Sequence, residues 1–246
     1  MPEPDSFLVS GGSGGIGGAV CERLALRGFT PVVGYCRNRQ AAEIVATRTG
    51  GIVLELDLTS NSSIDLACAK LAARESNVAG LVLAGSPPPS IGPFGNITAE
   101  DMMRQWQVNV MGPQLLLAGL VRHCFRKTKS GSVVGVLTRA MGTGIGTAAS
   151  NMGAYVIAKY GLAGVLAALA ADYSWLRVSS VSPGYTETPM LSVFDERFLA
   201  SQRARQPFQT PDDVAQQIVE AALGTQHEGP SSFVKSTSFH STKVWS

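Results

Sequence analysis

The chain has 246 residues, of which 45% are hydrophobic and 15% charged, and its formal net charge is +2. That is enough apolar material for a sizeable core, and the balanced charge gives no reason to expect nucleic acid or a membrane surface as the main partner. No signal peptide and no apolar run of about 18 residues is predicted. The four cysteines and three histidines show no metal-ligand spacing. We therefore expect no metal site and a cytoplasmic protein with reduced thiols.

Short apolar runs alternate along the chain with longer segments of helical pattern. The predicted strands, in chain order, are 7–10, 30–35, 52–56, 80–84, 132–137, 178–181 and, weakly, 232–235. The predicted helices are 15–27, 39–48, 62–74, 99–125, 153–173 and 212–223, with a lid at 190–209 that holds a short helix. This alternation predicts a Rossmann-type, doubly wound parallel sheet of about seven strands, with helices on both faces and one domain over 1–246. Ligands of such sheets bind beyond the carboxyl ends of the strands.

A glycine-rich turn follows the first predicted strand and opens the first predicted helix. Glycines let a backbone turn sharply and approach a pyrophosphate, while a helix N-terminus offers free N–H groups to phosphate oxygens. An ordinary flexible loop is the alternative, and the flanking strand and helix argue against it. The residues predicted to bind a dinucleotide here are Gly11, Ser13, Gly14, Gly15, Ile16 and Gly17.

The second predicted strand ends without an acidic residue. An acid at that point would hydrogen-bond the ribose hydroxyls and favour NAD. Arg37 and Arg39 stand there instead, and a guanidinium forks well onto phosphate oxygens, so we predict NADP(H) with Arg37 on the 2′-phosphate. Solvated surface arginines are the alternative interpretation.

Tyr155 and Lys159 are spaced to share one face of a predicted helix. A free tyrosine has a pKa of about 10. A neighbouring ammonium stabilises the phenolate, so Lys159 is expected to lower the tyrosine pKa toward the range useful for acid–base catalysis. The pair alone is a weak signal, because such a spacing also arises by chance.

Together these motifs resemble the short-chain dehydrogenase/reductase family over residues 7–223, most closely its 3-oxoacyl-[acyl-carrier-protein] reductase branch. Ser10, Gly11, Gly15 and Gly17 match the family's Thr-Gly-x-x-x-Gly-x-Gly signature, with serine in place of threonine. The resemblance implies that Tyr155 is the catalytic acid and that Lys159 tunes it and holds the nicotinamide ribose.

Further roles follow from the same resemblance. It implies that Asn109 supports a water relay and that Asp57 and Leu58 hold the adenine. Cofactor contacts are also implied for residues after the fourth and sixth strands, namely Ala84, Gly85, Pro183, Gly184, Thr186 and Thr188. Turn or capping residues are the alternative interpretation for Asp57 and for the Pro-Gly pair, and a surface position is the alternative for Asn109.

Three departures separate the chain from the family pattern. Leu83-Ala84-Gly85-Ser86 replaces the family's Asn-Asn-Ala-Gly. Thr138 stands where the family has its catalytic serine, and it keeps the hydroxyl but adds a methyl group. The segment from there to Tyr155 is about four residues longer than usual, which leaves Thr143 and Ser150 as alternative hydroxyls. The C-terminal segment 231–246 lacks the family's Val-Asp-Gly-Gly ending.

The leading functional hypothesis is an NADPH-dependent reductase of a ketone, most of all a 3-oxoacyl group on acyl carrier protein or a related thioester. A basic cluster of Arg122, Arg126, Lys127 and Lys129, with Arg203 and Arg205 near the lid, would dock an acidic carrier, although cations are also favoured at any helix C-terminus. The alternatives are a dehydrogenase of a free alcohol, sugar or polycyclic ketone, and a catalytically weak subunit of a mixed oligomer. The resemblance implies a homotetramer built on the helices 99–125 and 153–173.

Overall fold

The computed structural model describes residues 5–224, and a six-stranded parallel sheet runs through their centre. The strands are β1 (Ser6–Ser10), β2 (Thr30–Tyr35), β3 (Ile52–Glu55), β4 (Val78–Leu83), β5 (Ser132–Val136) and β6 (Arg177–Val181). Their order is β3-β2-β1-β4-β5-β6. The predicted doubly wound parallel sheet is thereby confirmed with six strands, and the seventh predicted strand, 232–235, lies outside the described residues.

Nine α-helices occur among residues 5–224, most of them between successive strands. They are α1 (Gly15–Leu26), α2 (Arg39–Thr49), α3 (Asn61–Ala72), α4 (Ala99–Trp106), α5 (Gly112–Leu120), α6 (Arg126–Thr128), α7 (Gly153–Asp172), α8 (Glu196–Arg205) and α9 (Pro211–Leu223). The last two follow β6. The predicted lid contains a 3-10 turn, Pro189–Val193, and α8.

Two apolar cores cover the two faces of the sheet, because neighbouring residues on a strand point in opposite directions. Leu81 faces α3, α5 and α7, and packs with Leu116 and Leu162. Its neighbour Val82 faces α1, α2 and α9, and packs with Val20. Every residue of β1 and β5 is buried, which explains why both strands are apolar apart from serines at their ends.

The predicted helix 99–125 is not one regular helix. Two π-helical turns, Gln107–Met111 and Val121–Phe125, interrupt it. Such turns are rare and concentrate at functional sites, and no residue pattern in the sequence marks them. The first of them carries Asn109, whose side chain is buried.

Helix α7 is long and apolar enough, by length and composition alone, to cross a membrane, and it is the one helix of residues 5–224 that passes this test. No membrane-spanning segment is predicted from the sequence. The inner side of α7 is buried against the sheet and carries Tyr155 and Lys159. The core helix of a folded domain is typically buried in this way, and such a helix also passes the test of length and composition.

Strands β2 and β3 lie in succession on one side of β1, and β4 pairs with β1 on its other side. The carboxyl ends of β1 and β4 therefore face a crevice at the point where the strand order reverses. Open α/β sheets bind their ligands in such crevices. The glycine-rich turn after β1 and Ala84-Gly85 after β4 meet there.

Candidate active site

The glycine turn packs directly against the segment after β4. Gly11 has φ +67°, a left-handed conformation that suits glycine, and a Cβ on Gly11 would lie 2.7 Å from the Cα of Gly85. A Cβ on Gly17 would lie 2.2 Å from the carbonyl oxygen of Gly11. The backbone N–H of Gly85 also donates to Ser10 Oγ at 3.3 Å. In the segment that replaces the family's Asn-Asn-Ala-Gly, Gly85 therefore contacts Gly11 directly.

The first turn of α1 has backbone donors without side-chain partners. Its N-cap residue, Gly14, contributes no side-chain hydrogen bond, and the turn contains no acidic residue. The N–H groups of Gly15, Ile16 and Gly17 and the positive end of the helix dipole are therefore available to an anion. Thr188 lies over this turn, since a Cβ on Gly15 would come within 2.7 Å of its Cγ2.

Arg37 lies on the surface after β2, beside Asp57. The Asp57 carboxylate accepts hydrogen bonds from the backbone N–H and hydroxyl of Thr59, at 2.9 and 2.7 Å. Partial burial opposes ionisation, but these bonds and the nearby Arg37 hold the Asp57 pKa below its ordinary value. Arg39 is paired with Glu43 at 2.8 Å, whereas Arg37 makes no ion pair with any residue of the described range 5–224.

Leu58, the other residue assigned to the adenine end, is buried beneath α5. A Cβ on Gly112 would lie 2.2 Å from the carbonyl oxygen of Leu58. Ser13 is half-buried in the glycine turn. These residues lie along the crevice on the β2–β3 side.

Tyr155 and Lys159 are both buried on the inner side of α7. Lys159 Nζ donates to the carbonyl oxygen of Val136 at 2.8 Å and lies 5.6 Å from the centre of the Tyr155 ring. The Thr138 side chain, just after β5, lies close enough to the Tyr155 hydroxyl to influence its pKa, and both residues line the same cavity. The hydroxyl of Thr138 also accepts from the backbone N–H of Ala140 at 3.2 Å.

Burial dominates the ionisation of this pair. It lowers the pKa of Lys159 from 10.5 to about 7. Burial also raises the Tyr155 pKa, against the smaller opposing effect of the Thr138 side chain. The sequence had led us to expect a lowered tyrosine pKa. The direction is the reverse here because the apolar surroundings penalise both the phenolate and the ammonium.

Neither alternative hydroxyl reaches the tyrosine. Thr143 and Ser150 are exposed, and both lie outside the cavity that Tyr155 lines. Thr147 organises the inserted loop by accepting from the backbone N–H groups of Thr143 and Gly144, at 2.8 and 3.0 Å. The structure brings Thr138 to Tyr155 and leaves the glycine-rich insertion at the surface.

Asn109 is held by a residue that the sequence analysis missed. Its Nδ2 donates to the backbone oxygen and to Oε1 of Gln105, both at 3.1 Å. Gln105 is fully buried and donates in turn to the carbonyl oxygen of Pro88 at 2.8 Å. Asn109 Oδ1 is buried and has no partner among the described residues. A polar residue four positions before Asn109 is the only sequence signal, and it is a weak one.

A cavity of about 370 Å³ gathers nine of the predicted residues. Those that line it are Ile16, Ala84, Thr138, Tyr155, Lys159, Pro183, Gly184, Thr186 and Thr188. The cavity also has an apolar wall that was not predicted from the sequence. Its residues are Pro89, Tyr185, Met190, Leu191, Phe194 and Phe208. Tyr185 and Phe208 stack at 5.1 Å between ring centres. The reacting groups therefore lie on the floor of an aromatic pocket.

Comparison with known proteins gives one consistent family. A family model described as enoyl-(acyl carrier protein) reductase matches residues 11–223. The chain belongs to the short-chain dehydrogenase/reductase family. It is 28% identical over 220 residues to cis-4-hydroxycyclohexanecarboxylate dehydrogenase of Sinomonas cyclohexanicum, with 86% of each chain covered. It is 29% identical over 217 residues to the 3-oxoacyl-[acyl-carrier-protein] reductase of Bos taurus, covering 86% of this chain and 88% of the other.

Solved structures show the same fold. The 3-ketoacyl-(acyl-carrier-protein) reductase of Brucella melitensis, complexed with NADH, superposes with a TM-score of 0.80 at 22% identity. The match covers 90% of this chain and 92% of that one. Short-chain dehydrogenases/reductases are oxidoreductases that use a nicotinamide cofactor, and this chain shares that chemistry.

The residues of this short-chain reductase fit such a cofactor. The uncapped first turn of α1 suits a diphosphate, and the contact between Gly11 and Gly85 keeps side chains out of its path. The unpaired acceptor of Asn109 suits a bound water or hydroxyl. Within residues 5–224, no group of three or more histidine, cysteine, aspartate or glutamate side chains is placed to hold a metal ion.

Side-chain and backbone contacts hold the base of the lid in place beside the cavity. Arg203 pairs with Glu187 at 3.1 Å and lies 4.8 Å from the centre of the Phe208 ring. Backbone hydrogen bonds join Gln209 to Tyr185 and to Glu187, at 3.0 and 2.9 Å. These contacts hold the segment 207–209 beside 185–187, so the lid helix α8 closes one side of the pocket.

Proposed function

We propose that this short-chain reductase interconverts a ketone and the corresponding secondary alcohol of a compact, largely apolar substrate, with NADP(H) as its cofactor. The observation that carries the proposal is that Thr138, Tyr155 and Lys159 together line the floor of the aromatic cavity. Both hydroxyls are available to one carbonyl oxygen there. The pocket wall excludes water and matches an apolar substrate body.

Tyr155 acts as the general acid in the reductive direction. Its raised pKa keeps the phenol protonated at neutral pH, so a proton is ready for the carbonyl oxygen. The Thr138 hydroxyl donates a second hydrogen bond and orients the carbonyl. A nicotinamide cofactor, when bound, would supply the hydride. Lys159 stabilises the phenolate that remains, and the proton returns to Tyr155 by way of Lys159 and water held by Asn109.

NADP(H) rather than NAD(H) is proposed on the basis of Arg37. No acidic residue ends β2, and Arg37 is exposed beside the crevice without an ion pair among residues 5–224. A guanidinium in that position recognises a 2′-phosphate by charge-assisted hydrogen bonds.

A free ketone is favoured over a carrier-bound 3-oxoacyl group. Four of the six basic residues expected to dock acyl carrier protein, Arg122, Arg126, Lys127 and Lys129, lie in or beside α6, which leads into the amino end of β5. The cavity opens beyond the carboxyl ends of the strands, at the opposite edge of the sheet in the same chain. A relative named 3-oxoacyl-[acyl-carrier-protein] reductase supports the carrier-bound form as the second candidate.

The outer side of α7 supports assembly into the expected homotetramer. Its exposed residues include Tyr160, Gly164, Ala167 and Ala168, and none of these is charged. A Cβ on Gly164 would meet no atom within 4 Å. Small, uncharged residues allow two helices to pack closely across a symmetry axis. Light scattering that reported a monomer at micromolar concentration would contradict this assembly.

Cofactor consumption with a panel of ketones tests the function. Purified protein is mixed with NADPH and with cyclic ketones, linear 3-oxoacyl thioesters, sugars and polycyclic ketones, and absorbance at the nicotinamide band is followed. The proposal requires turnover of compact apolar ketones that Tyr155→Phe abolishes. No turnover of any class, with the cofactor still bound, would favour the catalytically weak subunit instead.

A further inference from the structure

The charged residues that line the cavity all carry positive or titratable basic groups. They are Arg139, Lys159 and Arg205, and no aspartate or glutamate of residues 5–224 lines the cavity with them. Lys159 lies on the floor and is explained by catalysis. The two arginines have no part in the proposed proton transfer. A pocket with basic side chains and no acid favours an anionic ligand.

Arg139 is placed immediately beside the reacting groups. It follows Thr138 in the chain, and its backbone N–H donates to the carbonyl oxygen of Pro183 at 2.8 Å. Its side chain lies along Gly184, where Cδ, Nη1 and Nε would be 3.5, 3.7 and 4.0 Å from a Cβ. The side chain is therefore laid against the Pro-Gly turn at the edge of the pocket.

The guanidinium of Arg139 has donors to spare. It makes no ion pair with any carboxylate in the described part of the chain, and neither does Arg205. Arg203, two residues before Arg205, shows the contrast: it is paired with both Glu187 and Glu196. An arginine at an apolar pocket with no acidic partner presents its planar fork to a carboxylate.

We infer that the substrate carries a carboxylate and that Arg139 binds it, with Arg205 of the lid as a second cation near the pocket mouth. The substrate class is then an oxo acid, or the hydroxy acid formed from it, with an apolar ring or chain between the two functional groups. This inference rests on the proposed function, because it names the substrate class of the same site. The apolar wall contacts the body while Tyr155 and Arg139 hold its two polar ends.

The position of Arg139 favours a carboxylate over the phosphate of a carrier arm. Arg139 directly follows Thr138, so the anion that it binds lies close to the reacting carbonyl. In a pantetheine thioester the phosphate is separated from the acyl ketone by the whole flexible arm. Arg139 is exposed, so a carrier-bound substrate would leave its guanidinium to solvent, and substrate binding would then make no use of its charge.

A matched pair of ketones tests the inference, namely 4-oxocyclohexanecarboxylate and its methyl ester. Wild-type protein should show kcat/KM at least tenfold higher for the acid, since a charge-assisted hydrogen bond is worth about 1.5–3 kcal/mol, or roughly tenfold or more in affinity. Arg139→Met should remove this preference by raising KM for the acid while leaving the ester unchanged. Arg139→Lys should restore part of it.

Arg197→Met is the control variant. Arg197 is an exposed arginine on α8, the lid helix that also carries Arg205, and it does not line the cavity. Arg197→Met removes one positive charge, as Arg139→Met does, and should leave the acid preference intact. Equal kcat/KM for acid and ester in the wild type would overturn the inference. So would an Arg139→Met variant that loses NADPH affinity by the same factor, because Arg139 would then serve the cofactor.

A binding measurement separates this inference from the proposed function. Calorimetry with cyclohexanecarboxylate and cyclohexanecarboxamide, in the presence of NADP⁺, needs no turnover. Tighter binding of the carboxylate by tenfold or more, lost in Arg139→Met, supports the inference even if no ketone is reduced. Turnover of neutral ketones without any carboxylate preference supports the proposed function and contradicts the inference.

Discussion

The amide nitrogen of Asn109 donates to Gln105 Oε1 at 3.1 Å, and this bond decides which end of the asparagine is left for other partners. Gln105 Nε2 is committed to Pro88, so its Oε1 is free to accept from Asn109. Asn109 Oδ1 is consequently the end without a partner in the described structure. Through Gln105, the proline-rich segment after β4 orients the asparagine of the π-helical turn.

Gln105→Leu should therefore affect both stability and catalysis. At nearly constant volume, the variant removes the three hydrogen bonds of the Gln105 side chain, which are those to the carbonyls of Pro87 and Pro88 and that from Asn109. Each buried group left unsatisfied costs about 1–3 kcal/mol, which urea unfolding would detect. Asn109 would then be held only by its bond to the backbone oxygen of residue 105, so kcat should fall while the Kd for NADPH stays the same. A stability loss with unchanged kcat would show that Gln105 serves only the fold.

Tyr155→Phe should nearly abolish reduction and leave cofactor binding intact. The ring still fills its buried place, so the fold survives and only the transferable proton is lost. General acid catalysis by one group contributes about 10²–10⁴-fold, and kcat should fall by that order. Steady-state kinetics and fluorescence titration with NADPH measure the two quantities. Wild-type turnover in this variant would refute the assignment of Tyr155 as the acid.

Thr138→Ala should lower kcat about tenfold or more, which is less than the loss in Tyr155→Phe. Thr138 lines the cavity together with Tyr155 and influences the tyrosine pKa. Ser150→Ala is the matched control, because Ser150 is exposed and outside the cavity. It should have no effect on kcat with the same ketone. If Ser150→Ala instead lowered kcat more than Thr138→Ala, Ser150 in the inserted loop would be the residue that replaces the family's catalytic serine.

The buried Lys159 should make folding stability depend on pH between 7 and 10.5. Its pKa falls from 10.5 to about 7 on folding, so within this window the unfolded chain binds one more proton than the folded chain. Stability therefore rises with pH across the window. Relative to Lys159→Met, the wild type should gain on the order of 2 kcal/mol from pH 6 to pH 9.

Thermal unfolding of both proteins at the two pH values measures this gain. The difference between wild type and Lys159→Met removes the contributions of all other titrating groups. A difference in melting temperature that is independent of pH would mean that Lys159 keeps its ordinary pKa in the folded protein.

Arg37→Ala should weaken NADPH and leave NADH nearly unaffected. Wild-type protein should bind NADPH at least tenfold more tightly than NADH, since a charge-assisted contact contributes about 1.5–3 kcal/mol. Arg39→Ala is the control, because Arg39 is occupied by Glu43. Fluorescence titrations with both cofactors check the result. Equal affinity for the two cofactors in the wild type would exclude the proposed role of Arg37.

The sequence by itself determined the fold and the order of the site along the chain. Alternating apolar runs and helical patterns predicted all six observed strands, because a strand buried on both faces must be apolar throughout. The glycine turn was readable as well, since Gly11 needs a left-handed backbone and both Gly11 and Gly17 need close approach. The spacing of Tyr155 and Lys159 placed both on one helix face.

Only the tertiary structure decided what surrounds those residues. The aromatic wall of Tyr185, Phe194 and Phe208 comes from three separate segments, and no local pattern records that they meet. Gln105 and the π-helical turn beside it depend on contacts with the segment after β4. The tyrosine pKa moved opposite to expectation because burial is a property of the assembled core. Local residue types fix backbone conformation and chemistry, whereas burial, charge balance and hydrogen-bond partners are set by residues distant in the chain.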